Sequence, residues 1–293
     1  MEIKKLLFVT KFKELRFDAL QSLLPLKDAA LKHVVFLNVI ERNKLAMSRT
    51  GYKKDEVTRQ REMANIRFID WAENLFEQGL EVGLYIVVGS LVSQVIKAAK
   101  KEDADLIVIG RSSKGVLEQF YSGSDVVELL RRASTPVLVY KQIAENARQI
   151  DLPFERPLLA IDWSPASLNA VEYLKAMKNI IKKIDVIHVA SEKEFKDSSA
   201  MGIQKTRKQY RKKLDAICEG FESLGMEAEP HVYVGDANEE IEIAARECQS
   251  TMIVSGSSSK TAWVEKWLGS TPQTIAEKSV FPTLLIPPGK SGA

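Results

Sequence analysis

Apolar residues along this chain fall into two kinds of run. Short continuous ones, among them LLFV from Leu6, LIVIG from Leu106 and MIVSG from Met252, are rich in β-branched residues and bounded by turn formers. Such runs predict strands buried on both faces. In the second half they place strands over 157–162, 184–189, 228–234, 251–255 and 282–286. Amphipathic stretches between them predict helices over 164–179, 200–224, 237–248 and 270–278. The second is the clearest: Ile203, Tyr210, Leu214, Ile217, Phe221 and Leu224 recur at steps of three, four and seven, a single helical stripe. Gly225 then supplies a residue that tolerates the left-handed backbone of a helix end. The first half follows the same order, with a long helix over 55–78 closed by Gly79. Strand–helix alternation of this kind implies a parallel, doubly wound sheet with right-handed crossovers.

The whole pattern occurs twice. VVG ending at Gly89 answers YVG ending at Gly235, ADLIVIGRSSK answers STMIVSGSSSK, and TPVLVYK at Thr135 answers FPTLLIP at Phe281, all at an offset of 146 residues. Near the start of each half, KKLLFVTKF matches RPLLAIDWS at an offset of 152. One offset shared by several separate segments marks a duplication. The expected organisation is a first α/β domain over 1–142, a polar linker over 143–156, and a second α/β domain over 157–293.

Composition adds bounds. A chain of 293 residues suffices for two domains with their own cores. The formal charge of +3 is too small to draw nucleic acid or an anionic membrane. RKQYRKK at Arg207 rides on the long amphipathic helix and KAAKKED at Lys97 closes another, so both read as solvated faces. Two cysteines, Cys218 and Cys248, do not frame a disulfide scaffold and suit a reducing compartment. Both read as packed helix residues. MEIKKLLFVTKF carries too short an apolar run for a signal peptide, and no segment reaches the length of a membrane span. A cytoplasmic protein with neither nucleic acid nor membrane as partner is the expectation.

The candidate chemistry lies in the doubled loop. In a doubly wound sheet, ligands bind beyond the carboxyl ends of the strands. There the buried run ending at Ser255 meets Gly256, turns through Ser257, Ser258, Ser259 and Lys260, and returns to GSTPQTIAEK. Gly269 permits close backbone approach. Ser270 or Thr271 can cap the following helix, and Pro272 suits its first turn. Free amides at a helix start, with Lys260 nearby, favour a phosphate. Ordinary strand-to-helix capping accounts for one such loop; two at fixed spacing favour phosphate binding.

At these residues the chain resembles the universal stress protein family, whose fold is a five-stranded parallel α/β sheet, here expected in strand order 3-2-1-4-5 in each domain. Nucleotide-binding members carry Gly-x2-Gly-x9-Gly-Ser/Thr in this loop and an aspartate just after strand one. The second copy shows Gly256, Ser259 in place of the second glycine, then Gly269-Ser270; the first shows Gly110, Ser113, then Gly123-Ser124. The resemblance implies that Asp162, preceded by Ala160 and Ile161, accepts from the adenine amino group. Val189 presents backbone to the adenine edge. Gly235 and Asp236 lie at the ribose, and Ser255, Gly256, Ser257, Ser259, Lys260, Gly269, Ser270 and Thr271 line the phosphates. The first copy offers Val9, Lys11, Val39, Gly89, Ile109, Gly110, Arg111, Ser113, Lys114, Gly123 and Ser124. There Lys11 stands at the aspartate position, and an ammonium only donates. Asp125 replaces Thr271, a carboxylate that repels phosphate. The second domain is therefore the expected better site for ATP, ADP or AMP, with Mg2+ entering only alongside a triphosphate.

Signs of catalysis are few. The three histidines, His33, His188 and His231, stand in no metal-ligand spacing, and His188, inside DVIHVA, reads as a core or rim imidazole. No Walker loop or nucleophile elbow occurs. The reading is a binding, regulatory protein of the stress response whose occupancy is read by an unidentified protein partner. The alternatives are a scaffold that no longer binds nucleotide, or a slow ATP hydrolase. An adenylyl-transferring enzyme would carry Ser-Gly-Gly-x-Asp-Ser or His-x-Gly-His after strand one, and neither is present. PVLVY and PTLLIP, each led by a proline, read as edge strands that need covering. The resemblance implies that they pair the two domains as an internal pseudo-dimer, with homodimerisation of chains as a further step.

Overall fold

The computed structural model describes residues 2–10, 17–41, 47–48, 51–52, 54–112, 123–142, 152–195, 199–257 and 271–289. The chain divides into two units, Glu2–Ala147 and Arg148–Ala293. The first holds β1 (Lys5–Val9), α1 (Phe17–Gln21), β2 (His33–Glu41), a ribbon of β3 (Met47–Ser48) and β4 (Gly51–Tyr52), α2 (Lys54–Glu77), β5 (Glu81–Gly89), α3 (Leu91–Glu102), β6 (Leu106–Ser112), α4 (Gly123–Arg132) and β7 (Val137–Gln142). The second holds β8 (Pro157–Ala160), α5 (Pro165–Lys175), β9 (Lys183–Ala190), α6 (Ala200–Glu222), β10 (Glu227–Val234), α7 (Ala237–Glu247), β11 (Met252–Gly256), α8 (Thr271–Lys278) and β12 (Thr283–Ile286).

Within the first unit the strands run β5-β2-β1-β6-β7, and within the second β10-β9-β8-β11-β12, the order 3-2-1-4-5 in both. Every pairing in these two sets is parallel. The central strands are apolar because both faces are covered: Leu158, Leu159, Ile253, Val254 and Leu284 are all fully buried. Burial of such side chains stabilises by about 1.5–3 kcal/mol each.

Helix limits follow local chemistry. Ser164 caps α5 by accepting from the Ser167 N–H, with Pro165 in the first turn; Ser199 caps α6 by accepting from the Gly202 N–H. After α2 and α6 the chain turns through Gly79 (φ 78°) and Gly225 (φ 87°), conformations that suit glycine. Asp103 and Gln249 take the same left-handed turn after α3 and α7. The two copies thus share backbone conformations at an offset of 146 residues even where the residue types differ.

The first strands differ from the sequence match by one residue. Leu6 pairs with Leu106 and Pro157 with Met252, so equivalent positions lie 151 apart rather than 152. Leu-Leu stands in both strands, and sliding one pair over the other costs the pattern nothing. The polar stretch before β8 also ends inside the second unit: Phe154 is buried and the Thr251 hydroxyl donates to the Pro153 carbonyl at 2.8 Å.

Candidate functional site

The carboxyl ends of the second unit's strands bring together much of the predicted adenosine set. The Ile161 N–H donates to the Ile187 carbonyl at 2.8 Å, just past the end of β8, and Ser255 pairs with Ala160. Val189 pairs with Tyr233, and the Gly235 N–H donates to the Ala190 carbonyl at 3.1 Å. Ala160, Ile161, Asp162, Val189, Gly235, Asp236, Ser255 and Gly256 therefore share one end of one sheet, and Thr271 opens α8.

Asp162 is exposed and stands at the start of α5. Its Oδ1 accepts from the Ser164 N–H (3.0 Å) and from the Ser164 hydroxyl (2.6 Å). Partial desolvation pushes this carboxyl up, but the Ser164 and Ser167 hydroxyls and the Ser164 amide outweigh it and hold the group below the usual aspartate value. The result is an ionised acceptor aimed from the strand tip. Ser164, not Asp162, makes the helix cap, as the spacing implied.

Beside it stands a group the sequence reading did not assemble. The rings of Trp163 and Tyr210 stack at 5.4 Å and 17°, and the His188 ring lies 4.2 Å from the first and 4.4 Å from the second. His188 Nδ1 is 2.8 Å from the Ile161 carbonyl, so the proton sits on Nδ1 and Nε2 is an acceptor, buried without a partner. Burial pushes the His188 pKa down and keeps the ring neutral at pH 7. The Tyr210 hydroxyl donates to Glu194, which follows β9, and Lys213 Nζ lies 4.8 Å over the Trp163 ring. Trp163 itself holds φ 57°, an uncommon backbone for an aromatic residue. Tyr210 lies on the helical stripe of α6, of which Leu214 and Phe221 are buried while Leu224 is exposed. The only advance signal was adjacency, since Trp163 follows Asp162.

Three predicted contacts acquire local structural roles. A Cβ on Gly256 would stand 2.4 Å from the Ser167 nitrogen and 2.7 Å from the Ala166 carbonyl carbon, so this glycine lets β11 press against the start of α5. The Ser257 N–H donates to the Ile286 carbonyl at 2.7 Å and is thus not available to a phosphate. Asp236 caps α7, its Oδ1 accepting from the amides of Asn238 and Glu239 at 2.9 and 3.3 Å. Ser259, Lys260, Gly269 and Ser270 lie outside the described residues, as do Lys11, Ser113 and Lys114.

The first unit places Val9, Val39, Gly89, Ile109, Gly110 and Arg111 on β1, β2, β5 and β6, with Gly123 and Ser124 opening α4. Here the Thr10 N–H donates to the Leu37 carbonyl, as Ile161 does to Ile187. In sequence the next residue is Lys11 in one copy and Asp162 in the other. Asn38 Nδ2 donates to the Thr10 carbonyl at 3.0 Å, the task His188 performs in the second copy. Counting back from Gly79 and Gly225, the position of Tyr210 on α6 is Ala64 on α2, a buried alanine. Among the described residues, no aromatic side chain stands at the first unit's counterparts of His188 and Tyr210.

The sequence matches the model of the universal stress protein family over residues 2–141 and again over 153–287. A curated universal stress protein of Methanocaldococcus jannaschii is 27% identical over 155 residues, covering 47% of this chain and 95% of its own length. A solved universal stress protein from Archaeoglobus fulgidus superposes with a TM-score of 0.74 at 22% identity, covering 99% of this chain and 98% of its own. A putative universal stress protein from Pseudomonas aeruginosa does so with a TM-score of 0.66 at 19% identity, covering 98% and 94%. At these identities the structural likeness is one of fold.

Proposed function

Because the chain belongs to the universal stress protein family in both of its halves, we propose that it binds an adenine nucleotide in its second unit and acts as a regulatory rather than a catalytic protein. The observation that carries this reading is the pairing of Asp162, an ionised acceptor at the tip of β8, with the aromatic group of Trp163, His188 and Tyr210. A purine amino group needs an acceptor and its rings need an aromatic or apolar wall. Asp162 is the acceptor and the Trp163–Tyr210 stack is the wall. The first unit, with Lys11 and Ala64 at the matching positions, is the weaker site. Phosphates extend toward the loop from Ser257 to Thr271, and Mg2+ accompanies only a triphosphate.

The test is to purify the chain gently, denature it and identify released small molecules by mass spectrometry. Titration calorimetry with ATP, ADP and AMP follows on stripped protein. Release or binding of an adenine nucleotide, weakened by Asp162→Ala, supports the reading. Stripped, folded protein that takes up none of the three refutes it and leaves the scaffold reading. One observation favours that second reading: Asp162 Oδ1 already accepts two hydrogen bonds from Ser164.

A further inference from the structure

A second site lies nearer the other end of the same sheet. Asp185 is the third residue of β9 and is 1% exposed. His231 on β10 pairs with Ile187, two residues along from Asp185, so both side chains rise from the same face of the β9–β10 pair. That face is covered by α7, whose Ile241, Ala244 and Ala245 pack on Ile187, and the helix closes at Cys248. Three unlike ligand atoms meet there. A carboxylate oxygen of Asp185, a ring nitrogen of His231 and Cys248 Sγ all lie within 4.8 Å of one another. His231 Nε2 is 2.9 Å from Asp185 Oδ1, and Asp185 Oδ2 is buried with no hydrogen-bond partner.

Only the weak donor of the Cys248 thiol stands by this carboxylate besides His231, and a fully buried oxygen so poorly served is costly. The equivalent place in the first unit solves the problem differently. There the same three positions are Val35, Tyr85 and Glu102, and the Tyr85 hydroxyl donates to Glu102 while Lys5 pairs with it at 3.2 Å. An apolar Val35 stands where the second unit has the buried carboxylate, and no acceptor is stranded at these three positions. The second unit has exchanged a closed hydrogen-bonded pair for three metal-type ligands.

We propose that Asp185, His231 and Cys248 bind a zinc-type divalent cation. Thiolate, imidazole and carboxylate together form a borderline-soft donor set that suits Zn2+ over Mg2+ or Ca2+. Tetrahedral zinc with bonds of about 2.0–2.3 Å sets its ligand atoms roughly 3.3–3.8 Å apart, so on binding the 2.9 Å His231–Asp185 contact opens by a few tenths of an ångström and the wider separations, up to 4.8 Å, close by up to about 1 Å. Charge balances: Zn2+ displaces the Cys248 proton to solvent, and one thiolate plus one carboxylate neutralise the ion. The His231 side chain is 30% exposed, which leaves water a way to the fourth position. Lys183 Nζ is the opposing cation, 4.0 Å from Asp185 Oδ1, but Glu229 and Glu227 hold it at 2.9 and 3.8 Å. The ion would join β9, β10 and the end of α7, away from the strand tips assigned to nucleotide.

The experiment uses the full chain, stripped with chelator and titrated with Co2+ as a visible stand-in, then with Zn2+ in competition. One Co2+ per chain, tetrahedral ligand-field bands and a thiolate-to-metal charge-transfer band are expected, with Zn2+ displacing the signal. Cys248→Ser should abolish the charge-transfer band and weaken Zn2+ binding by about 100-fold or more, whereas Cys218→Ala should leave both unchanged. If Cys248→Ser does not fold, His231→Gln on the rim should give the same loss of affinity. Absence of stoichiometric binding, or a thiolate band that survives Cys248→Ser, overturns the proposal. Nucleotide binding by the same stripped protein is scored separately, so either result stands without the other.

Discussion

Asp162 and Gly256 lie at the same end of one sheet, yet their surroundings give them different tasks. In the proposed site Asp162 is the adenine acceptor, so Asp162→Ala is expected to lower adenine-nucleotide affinity by about 10- to 100-fold, the worth of a hydrogen bond to a charged group. Its effect on melting temperature should be small, and calorimetry beside a thermal melt reads both. Gly256 carries packing, because a Cβ there meets the backbone of Ala166 and Ser167. Gly256→Ala should cost about 1–3 kcal/mol of stability in urea unfolding, so loss of binding in that variant reports folding first. His188 adds a pH signature. Its folded pKa lies below the ordinary 6.5 because it is buried, so below that pH the unfolded chain takes up a proton that the folded chain refuses. Stability should therefore fall as pH drops from 7 toward 5, with half-buried His33 contributing in the same sense. His188→Asn, which imitates Asn38, should flatten that fall, and denaturant midpoints across the range measure it. An unchanged slope would mean that other groups govern the acid side. The place of Asp162 was legible because it ends an apolar run, and His188 was legible as a core or rim imidazole; the carbonyls that His188 and Asn38 hold were not, because one polar residue inside such a run looks the same whether or not it holds one.

At the scale of elements the sequence was easiest to read where one physical rule governs. Strand limits agree with the apolar runs to within two residues, and α2 and α6 stop at Gly79 and Gly225 because their left-handed turns suit glycine. The rest was hidden by degeneracy. The β1 and β8 match slipped by one because a Leu-Leu pair satisfies a buried strand in either register. Asp185, His231 and Cys248 come from three elements with no short spacing among them, so only the register of β9 on β10 and the end of α7 unite them. Tyr210 falls on the apolar stripe of α6 by period, yet its ring packs with Trp163 and His188 beside the carboxyl end of β9. The start of α5 tests how far that end is built by capping. Ser164 both caps the helix and donates to Asp162, so Ser164→Ala should cost about 1 kcal/mol of stability and also weaken nucleotide binding by freeing the carboxylate to rotate. A stability loss with unchanged affinity would show that Asp162 holds its place without the serine.

For the whole molecule, duplication supplies an internal comparison that a single domain lacks. Both units have the same strand order and matching left-handed turns, yet their strand tips differ in ways that bear on a ligand. Asp162, His188 and Tyr210 in the second correspond in sequence to Lys11, Asn38 and Ala64 in the first. Both halves share the fold while the residues at the proposed site differ between them, and that is the pattern expected if only one half binds adenine. The expected stoichiometry is therefore one adenine nucleotide per chain. A ligand held by one folded unit stabilises that unit by RT ln(1 + [L]/Kd), about 2.7 kcal/mol at a hundredfold excess over Kd, and leaves the other where it was. Scanning calorimetry with saturating nucleotide should then raise only the unfolding component that Asp162→Ala also perturbs. Lys11→Asp should strengthen binding at the first unit, because it removes a cation that only donates and supplies an acceptor. Two equal sites in the unmodified chain, or a first-unit site that Lys11→Asp weakens, would show that the lysine is itself a ligand contact and that both halves still bind.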